Sequence, residues 1–173
     1  MNDHQSFALD TYHLSPELKL ELLTKSDAAE IAIQLTNMEP WQSLGFTAMG
    51  LARYLVCIDP NFHCYCVFVA DKLAGVIAVR HPWLRGSYLE LLAIFTEYQK
   101  HGIGKQLIAW LVRETAKQNT NVWTTVSNDN DRAHHFYLQN GFLPIGDIPD
   151  LIQLGCHETL LRLMITTTEG IKP

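Results

Sequence analysis

Between Tyr88 and Ala116 the chain changes its hydrophobic period, and that change constrains the fold more than any other segment. Tyr88 to Phe95 is an apolar run, while Gly104 to Ala116 is amphipathic, with Leu107, Ile108, Leu111 and Val112 on one helical stripe. The link between them contains Gln99-Lys100-His101-Gly102-Ile103-Gly104-Lys105. A strand, a glycine-containing turn and a helix in that order leave the first helical N–H groups without intrahelical partners, and the helix dipole adds partial positive charge there. Gly102 and Gly104 lack Cβ, so an anion can approach the backbone closely. Lys100, His101 and Lys105 can add charge or donors. The expected ligand carries phosphate, and pyrophosphate suits the turn best.

Two familiar phosphate binders are disfavoured by what is missing. A P-loop requires Gly at its first position and Ser or Thr after its Lys, where this chain has Gln99 and Gln106. A dinucleotide fingerprint requires a third Gly where Leu107 stands. What remains is Gln-x-x-Gly-x-Gly between a strand and a helix.

A second segment gives that pattern meaning. Asn130 to Phe142 reads Asn-x-x-Ala-x-x-Phe-Tyr-x-x-x-Gly-Phe. With the Gln99–Gly104 turn, it resembles the GNAT superfamily of coenzyme A-dependent N-acetyltransferases. Order and spacing agree: strand 88–95, turn, helix 104–118, strand 121–127, helix 131–139, then another strand near Phe142. The resemblance covers roughly Glu17 to Met164, and its specific part is Tyr88 to Phe142. It implies a mixed α/β (α+β) fold, with a mostly antiparallel central sheet of about six to seven strands and about four helices. It also implies acetyl-CoA as cosubstrate and no metal.

The composition is that of a soluble globular enzyme. The chain has 173 residues, 47% hydrophobic and 18% charged, with a net charge of −5. One domain over 1–173 is expected, with its core at about 17–165 and a frayed tail at 166–173. The negative balance argues against a nucleic-acid partner. No apolar run approaches the roughly 18 residues of a membrane helix. The polar start, Met1-Asn2-Asp3-His4-Gln5, gives no sign of secretion, so a cytoplasmic location is expected. Cys57, Cys64, Cys66 and Cys156 lack Cys-x-x-Cys spacing and read as free thiols, with Cys64 and Cys66 facing the same way from a strand.

Upstream, Leu18 to Leu22 alternates as a strand does. Asp27 with Glu30 reads as a capping box for a helix to about Asn37, and a second helix is expected from about Thr47 to Cys57. Phe62 to Ala70 and Leu73 to Arg80 read as a hairpin around Asp71-Lys72, with Pro82 and Gly86 punctuating the way to Tyr88. Two strands, about 142–148 and 157–165, are expected after Phe142.

The resemblance assigns chemistry to particular residues. Leu92-Ala93-Ile94 matches the strand whose backbone pairs with the pantetheine arm. Gln99, Lys100, His101, Gly102, Ile103, Gly104 and Lys105 match the diphosphate turn, and Asn130 matches a coenzyme contact, although Asn there also suits a helix N-cap. Tyr137 matches the general acid that protonates the departing thiolate, and its phenol is a donor at neutral pH. An alkylammonium with a pKa near that of Lys, ~10.4, is about 0.1% or less deprotonated at pH 7, so a base has about 4 kcal/mol of mismatch to overcome. Ribosomal-protein alanine acetyltransferases of the superfamily place a Glu where this chain has Thr125. Other relatives place a Glu on the strand before the turn, and Glu90 stands there, sharing a face with Tyr88, Leu92 and Ile94. A carboxylate in so apolar a run is costly unless it is paired or functional. His134 and His135 titrate in the right range but read more simply as helix surface.

For the acceptor, Glu39, Trp41 and Phe46 fall in the segment that borders the acceptor groove in relatives. Glu39, Asp147, Asp150 and Glu158 could make that side acidic and draw a cationic amine. The reading is an N-acetyltransferase acting directly on a small-molecule or peptide amine, with a homodimer left open. Two rivals are a GNAT-fold module that binds acyl-CoA without catalysis, and a flavodoxin-like nucleotide binder. The second does not need the Asn130–Phe142 segment.

Overall fold

The structure is a computed structural model and describes residues 5–166. In chain order its elements are β1 (Thr11–His13), β2 (Leu18–Leu22), α1 (Lys25–Thr36), α2 (Ala48–Leu55), β3 (Phe62–Val69) and β4 (Lys72–Trp83). These are followed by β5 (Gly86–Ile94), a 3-10 turn (Thr96–Tyr98), α3 (Ile103–Ala116), β6 (Asn121–Ser127), α4 (Asp131–Gln139), β7 (Leu143–Pro149) and β8 (His157–Met164). The strands form one sheet in the order β1-β2-β3-β4-β5-β6-β8-β7. Eight strands stand where six to seven are expected. β1 is the addition, too short for its alternation to register in the sequence. The expected tail lies outside the described residues except for Thr166.

The chain divides into two units. One holds Leu9–Arg80 and Leu89–Leu107. Its strands β1 to β4 pair antiparallel, with Tyr12 opposite Leu20, Leu20 opposite Val67 and Cys64 opposite Ala78. α1 buries Ala28, Ile31, Ala32 and Leu35, a run of i, i+3, i+4 and i+7 positions. These pack with Leu51 and Leu55 of α2 and with Cys64, Cys66, Val76, Ala78, Leu91 and Ala93 of the sheet. Cys64 and Cys66 do share a face, and both are free thiols within that core.

The start of α1 corrects the sequence reading. The N-cap is Thr24, whose hydroxyl accepts from the Asp27 N–H, while the Asp27 carboxylate accepts from the Thr24 N–H at 3.0 Å. Asp27 is therefore the third helical residue rather than the cap. Thr and Asp both favour their observed positions, and only Thr24 leaves Ala28 free to begin the apolar stripe. α2 begins after Thr47, whose hydroxyl accepts from the Gly50 N–H at 3.1 Å.

The other unit holds the described part of 1–8, His81–Tyr88, and the described part of 108–173. Pro82 does not end β4, which runs on to Trp83. Leu84 and Arg85 form the turn at positive φ, 41° and 56°. The Asn121 amide donates to the Arg85 carbonyl at 2.8 Å and the Trp123 indole to the Leu84 carbonyl at 3.2 Å. Gly86 is confined by β6, because a Cβ there would lie 2.0 Å from the Asn121 carbonyl oxygen. Further on, the Tyr88 hydroxyl meets that of Thr125 at 2.8 Å. Contacts that advance together along β5 and β6 are those of parallel neighbours. β8 pairs antiparallel with β6 and β7, Thr124 lying opposite Leu161. Ser6 and Phe7 are tied to α3. The Ser6 hydroxyl donates to the Glu114 carbonyl and the Phe7 N–H to the Glu114 carboxylate, and the Phe7 ring packs on Trp110 with centroids 5.5 Å apart.

Candidate active site

The unit built on β1 to β4 carries the anion turn. β5 ends at Ile94, and the Gln99 side chain donates to the Ile94 carbonyl at 2.7 Å, tying the turn to the strand end. Lys100 adopts φ 66° and Gly102 φ 75°, two left-handed residues that swing the chain into α3. No atom lies within 4 Å of where a Gly102 Cβ would stand, so that backbone faces open space. The Gln106 N–H bonds to the Gly102 carbonyl, which marks the first helical turn. The N–H groups of the residues just after Gly102 therefore precede the helical ladder, as an anion site requires. Lys100, His101 and Lys105 are exposed, whereas Ile103 is buried and anchors the helix. On β5, Ala93 is part of the core, and Leu92 and Ile94 are half-buried.

Glu90 lies on the same strand and in the same unit, and it is paired. The Arg80 guanidinium of β4 bonds to its carboxylate through Nε, and through a second nitrogen at 3.5 Å. Arg80 also holds Asp59 at 2.6 Å, and the Asn61 N–H donates to Asp59 at 2.8 Å. These bonds hold the Asp59 carboxyl below the usual range. Burial, followed by the charge of Glu90, pushes the Tyr54 phenol of α2 far above the ordinary tyrosine range. Sequence reasoning misses Asp59 and Arg80. The available signal is Arg80 itself, a charge within the apolar run of β4 that demands a counter-charge.

The expected acceptor residues are dispersed in character. Trp41 is half-buried against the helical core, as a packing residue is. Phe46 and Glu39 are exposed, and the Glu39 carboxylate accepts from the Ser43 N–H at 3.2 Å.

Tyr137 and Asn130 belong to the other unit. Asn130 caps α4, its side chain accepting from the Ala133 N–H at 3.0 Å. About two turns further along that helix, Tyr137 is buried between Phe136 and Phe142, with ring centroids 5.1 Å and 5.2 Å away. Burial pushes its phenol up to about 12, while a hydrogen bond with Thr124 acts in the opposite direction. The phenol is therefore protonated across the neutral range and can serve as an acid. Thr125 shares a hydrogen bond with Tyr88. His134 is half-buried and His135 is exposed on α4. Among the expected surface acids, Glu158 is buried and its carboxyl is pushed upward by that burial, so it is not part of an acidic surface. Asp147 accepts from the Thr159 hydroxyl, and Asp150 from the Gly155 N–H.

Comparison with known proteins agrees with this arrangement. The model of the acetyltransferase (GNAT) family matches residues 26–142. An acetyltransferase from Thermus thermophilus shares the fold with a TM-score of 0.69 and 21% identity, over 89% of this chain and 100% of that one. A spermidine N-acetyltransferase chimera from Vibrio cholerae and hSSAT does so with a TM-score of 0.68 and 16% identity, over 86% and 95%. An acetyltransferase from Salmonella typhimurium that modifies the N-terminal serine of ribosomal protein L7/L12 gives a TM-score of 0.71 and 14% identity, over 90% and 99%. With the family model spanning residues 26–142, most of the chain, the protein belongs to the GNAT acetyltransferase family and is an acyltransferase that uses acetyl-CoA.

Proposed function

We propose that the enzyme transfers the acetyl group of acetyl-CoA to a primary amine, of a small molecule or a peptide, by direct attack in a ternary complex. The observation that carries the reading is the turn at Gly102, open on its backbone side at the start of a helix. The amides around Lys100 to Lys105 would hold the diphosphate, with Gln99 fixing the turn. The backbone of Leu92, Ala93 and Ile94 would receive the pantetheine arm, and Asn130 a further part of the coenzyme. The amine nitrogen attacks the thioester carbonyl carbon, a C–N bond forms and the C–S bond breaks. Glu90, directly or through a water, takes the proton lost by the ammonium. Tyr137 gives its proton to the departing thiolate, which leaves as the thiol. Glu39, Trp41 and Phe46 would border the acceptor. The reading includes a cytoplasmic location, supported by four free cysteines, and one functional domain.

The test is thiol release from acetyl-CoA across a panel of polyamines, amino acids, aminoglycosides and peptide N-termini. At least one amine should be acetylated. With that amine, Glu90→Gln should lose rate near neutral pH and regain it at high pH, where the amine deprotonates unaided. Tight coenzyme binding with no turnover on any amine would instead favour an acyl-CoA-binding module. One observation supports that second reading: Thr125, with its hydroxyl engaged by Tyr88, has no carboxylate to offer.

A further inference from the structure

We propose that the acceptor is a small primary amine on an aromatic body, with its ring seated among Trp83, Tyr88 and Trp123 and its ammonium received by Glu158. This rests on the reading that the enzyme acetylates primary amines, and it names their class.

The sheet at β5 and β6 has two unlike faces. The Ser87 hydroxyl of β5 meets that of Thr115 on α3 at 2.7 Å, so α3 covers that side. Tyr88, the next residue, points the other way and meets Thr125 of β6 at 2.8 Å. By strand alternation Trp123, Thr125 and Ser127 share the Tyr88 side, while Val122, Thr124 and Val126 share the helix side. The helix side is closed, at most 4% exposed at those three residues, whereas Trp83, Tyr88, Thr125 and Ser127 are half-buried.

Three rings gather on the Tyr88 side. Trp83 packs on Tyr88 with centroids 4.9 Å apart and meets Trp123 edge-on at 5.9 Å. The Trp123 indole is tied to the Leu84 carbonyl and the Tyr88 hydroxyl to Thr125, so the cluster is fixed before any ligand arrives.

β8 adds the charges. Its register sets Arg162 opposite Trp123, Leu160 opposite Thr125 and Glu158 opposite Ser127. Glu158 is 3% exposed, and among the described residues no salt bridge reaches its carboxylate. A carboxylate so buried is costly unless a cation answers it. Burial raises its carboxyl, and an ammonium beside it would favour the charged form. Along the strands the level of Tyr88 and Thr125 lies about 7 Å from that of Glu158, and the level of Trp123 about 13 Å. A nitrogen on a short alkyl spacer from a ring suits the first distance. The far end is cationic, because the Arg162 guanidinium lies over the Trp123 ring at 5.5 Å while its Nε donates to Asn121. A second ammonium there would be repelled, which disfavours polyamines.

The test labels the four tryptophans with 5-fluorotryptophan and assigns Trp83 and Trp123 by their loss in Trp83→Phe and Trp123→Phe. 2-Phenylethylamine is titrated into the folded protein, alone and beside coenzyme A. The 19F resonances of Trp83 and Trp123 should move to saturation. Glu158→Gln, an isosteric change whose fold is checked by circular dichroism, should need at least about tenfold more amine. Resonances that stay in place in both conditions overturn the proposal, as does equal affinity in Glu158→Gln or tighter binding of spermidine. This arm needs no turnover. In the thiol-release assay, 2-phenylethylamine should give a kcat/KM at least about tenfold above n-butylamine and spermidine. Glu158→Gln should raise its KM and leave KM for acetyl-CoA unchanged. Turnover that prefers spermidine overturns this acceptor class and leaves acetyl transfer standing. Saturable amine binding with no turnover on any amine would end the acetyl-transfer reading and leave the amine site in place.

Discussion

At the scale of single residues, the chemistry depends on which protons stay in place. Tyr137 is buried, and its phenol is pushed up to about 12 by loss of solvent, so it keeps its proton through the neutral range, as the proposed acid must. Tyr137→Phe should lower turnover about a hundredfold at saturating substrate, with coenzyme affinity changed less than about twofold. Steady-state kinetics and calorimetry check the two halves, and an unchanged rate removes Tyr137 from the mechanism. Glu158 shows the converse effect of burial. Its carboxyl is raised in the folded protein, so the folded state holds that proton more tightly than the unfolded one. The stability this brings is present at acid pH and lost as the pH rises through the folded value. Glu158→Gln should therefore raise Tm at neutral pH and give no gain below the ordinary carboxylate range, which melting curves at several pH values would show. Glu90 is legible in the sequence as a costly charge in an apolar strand. Its partner is not, because nothing in local periodicity links Arg80, which also holds Asp59, to that carboxylate. The burial of Glu158 is equally hidden, since the pattern of β8 marks a strand but not which of its faces is covered.

Secondary elements read best where period and cap agree. α4 and β6 fall where their patterns place them, and α3 begins at Ile103, one residue before the expected Gly104. The cap of α1 lies one turn before its expected place because Thr24, Ser26 and Asp27 are all good capping residues, and only tertiary burial of Ala28 and Ile31 chooses among them. β4 outruns the end that Pro82 suggests. Proline ends a strand only when its missing N–H is needed by a neighbour, and here the strand continues to Trp83. Close packing between strands is invisible in sequence. A Cβ on Gly75 would lie 2.2 Å from the Ala93 carbonyl oxygen, so β4 and β5 must part to admit it. Gly75→Ala should destabilise the fold by about 1–3 kcal/mol. A chain of this size loses roughly 2–4 °C in Tm per kcal/mol, so scanning calorimetry would see it. An unaltered Tm would mean that the strands separate freely there.

At the scale of the whole molecule, the two motifs that mark the family fall in different units. The Gln99–Gly104 turn belongs to one, and Asn130–Phe142 to the other. The resemblance is legible because each motif is local, a turn in one case and a helix in the other. The acceptor is not legible, because the residues expected to meet it are a packed Trp41 and an exposed Glu39 and Phe46 that carry no shared pattern. The protein carries a net charge of −5, yet it has to bind a polyanion. On the proposed reading the favourable charge is local, at Lys100, Lys105 and the start of α3, and binding should weaken as salt screens it. The most direct measurement is isothermal titration of the folded protein with acetyl-CoA, beside Gly102→Val. Wild type should release heat with one coenzyme per chain. Gly102→Val, which places a branched side chain in the open backbone at φ 75°, should bind at least about tenfold more weakly. No heat with the folded wild-type protein, or equal affinity in the variant, would contradict a diphosphate held by the main chain at this turn.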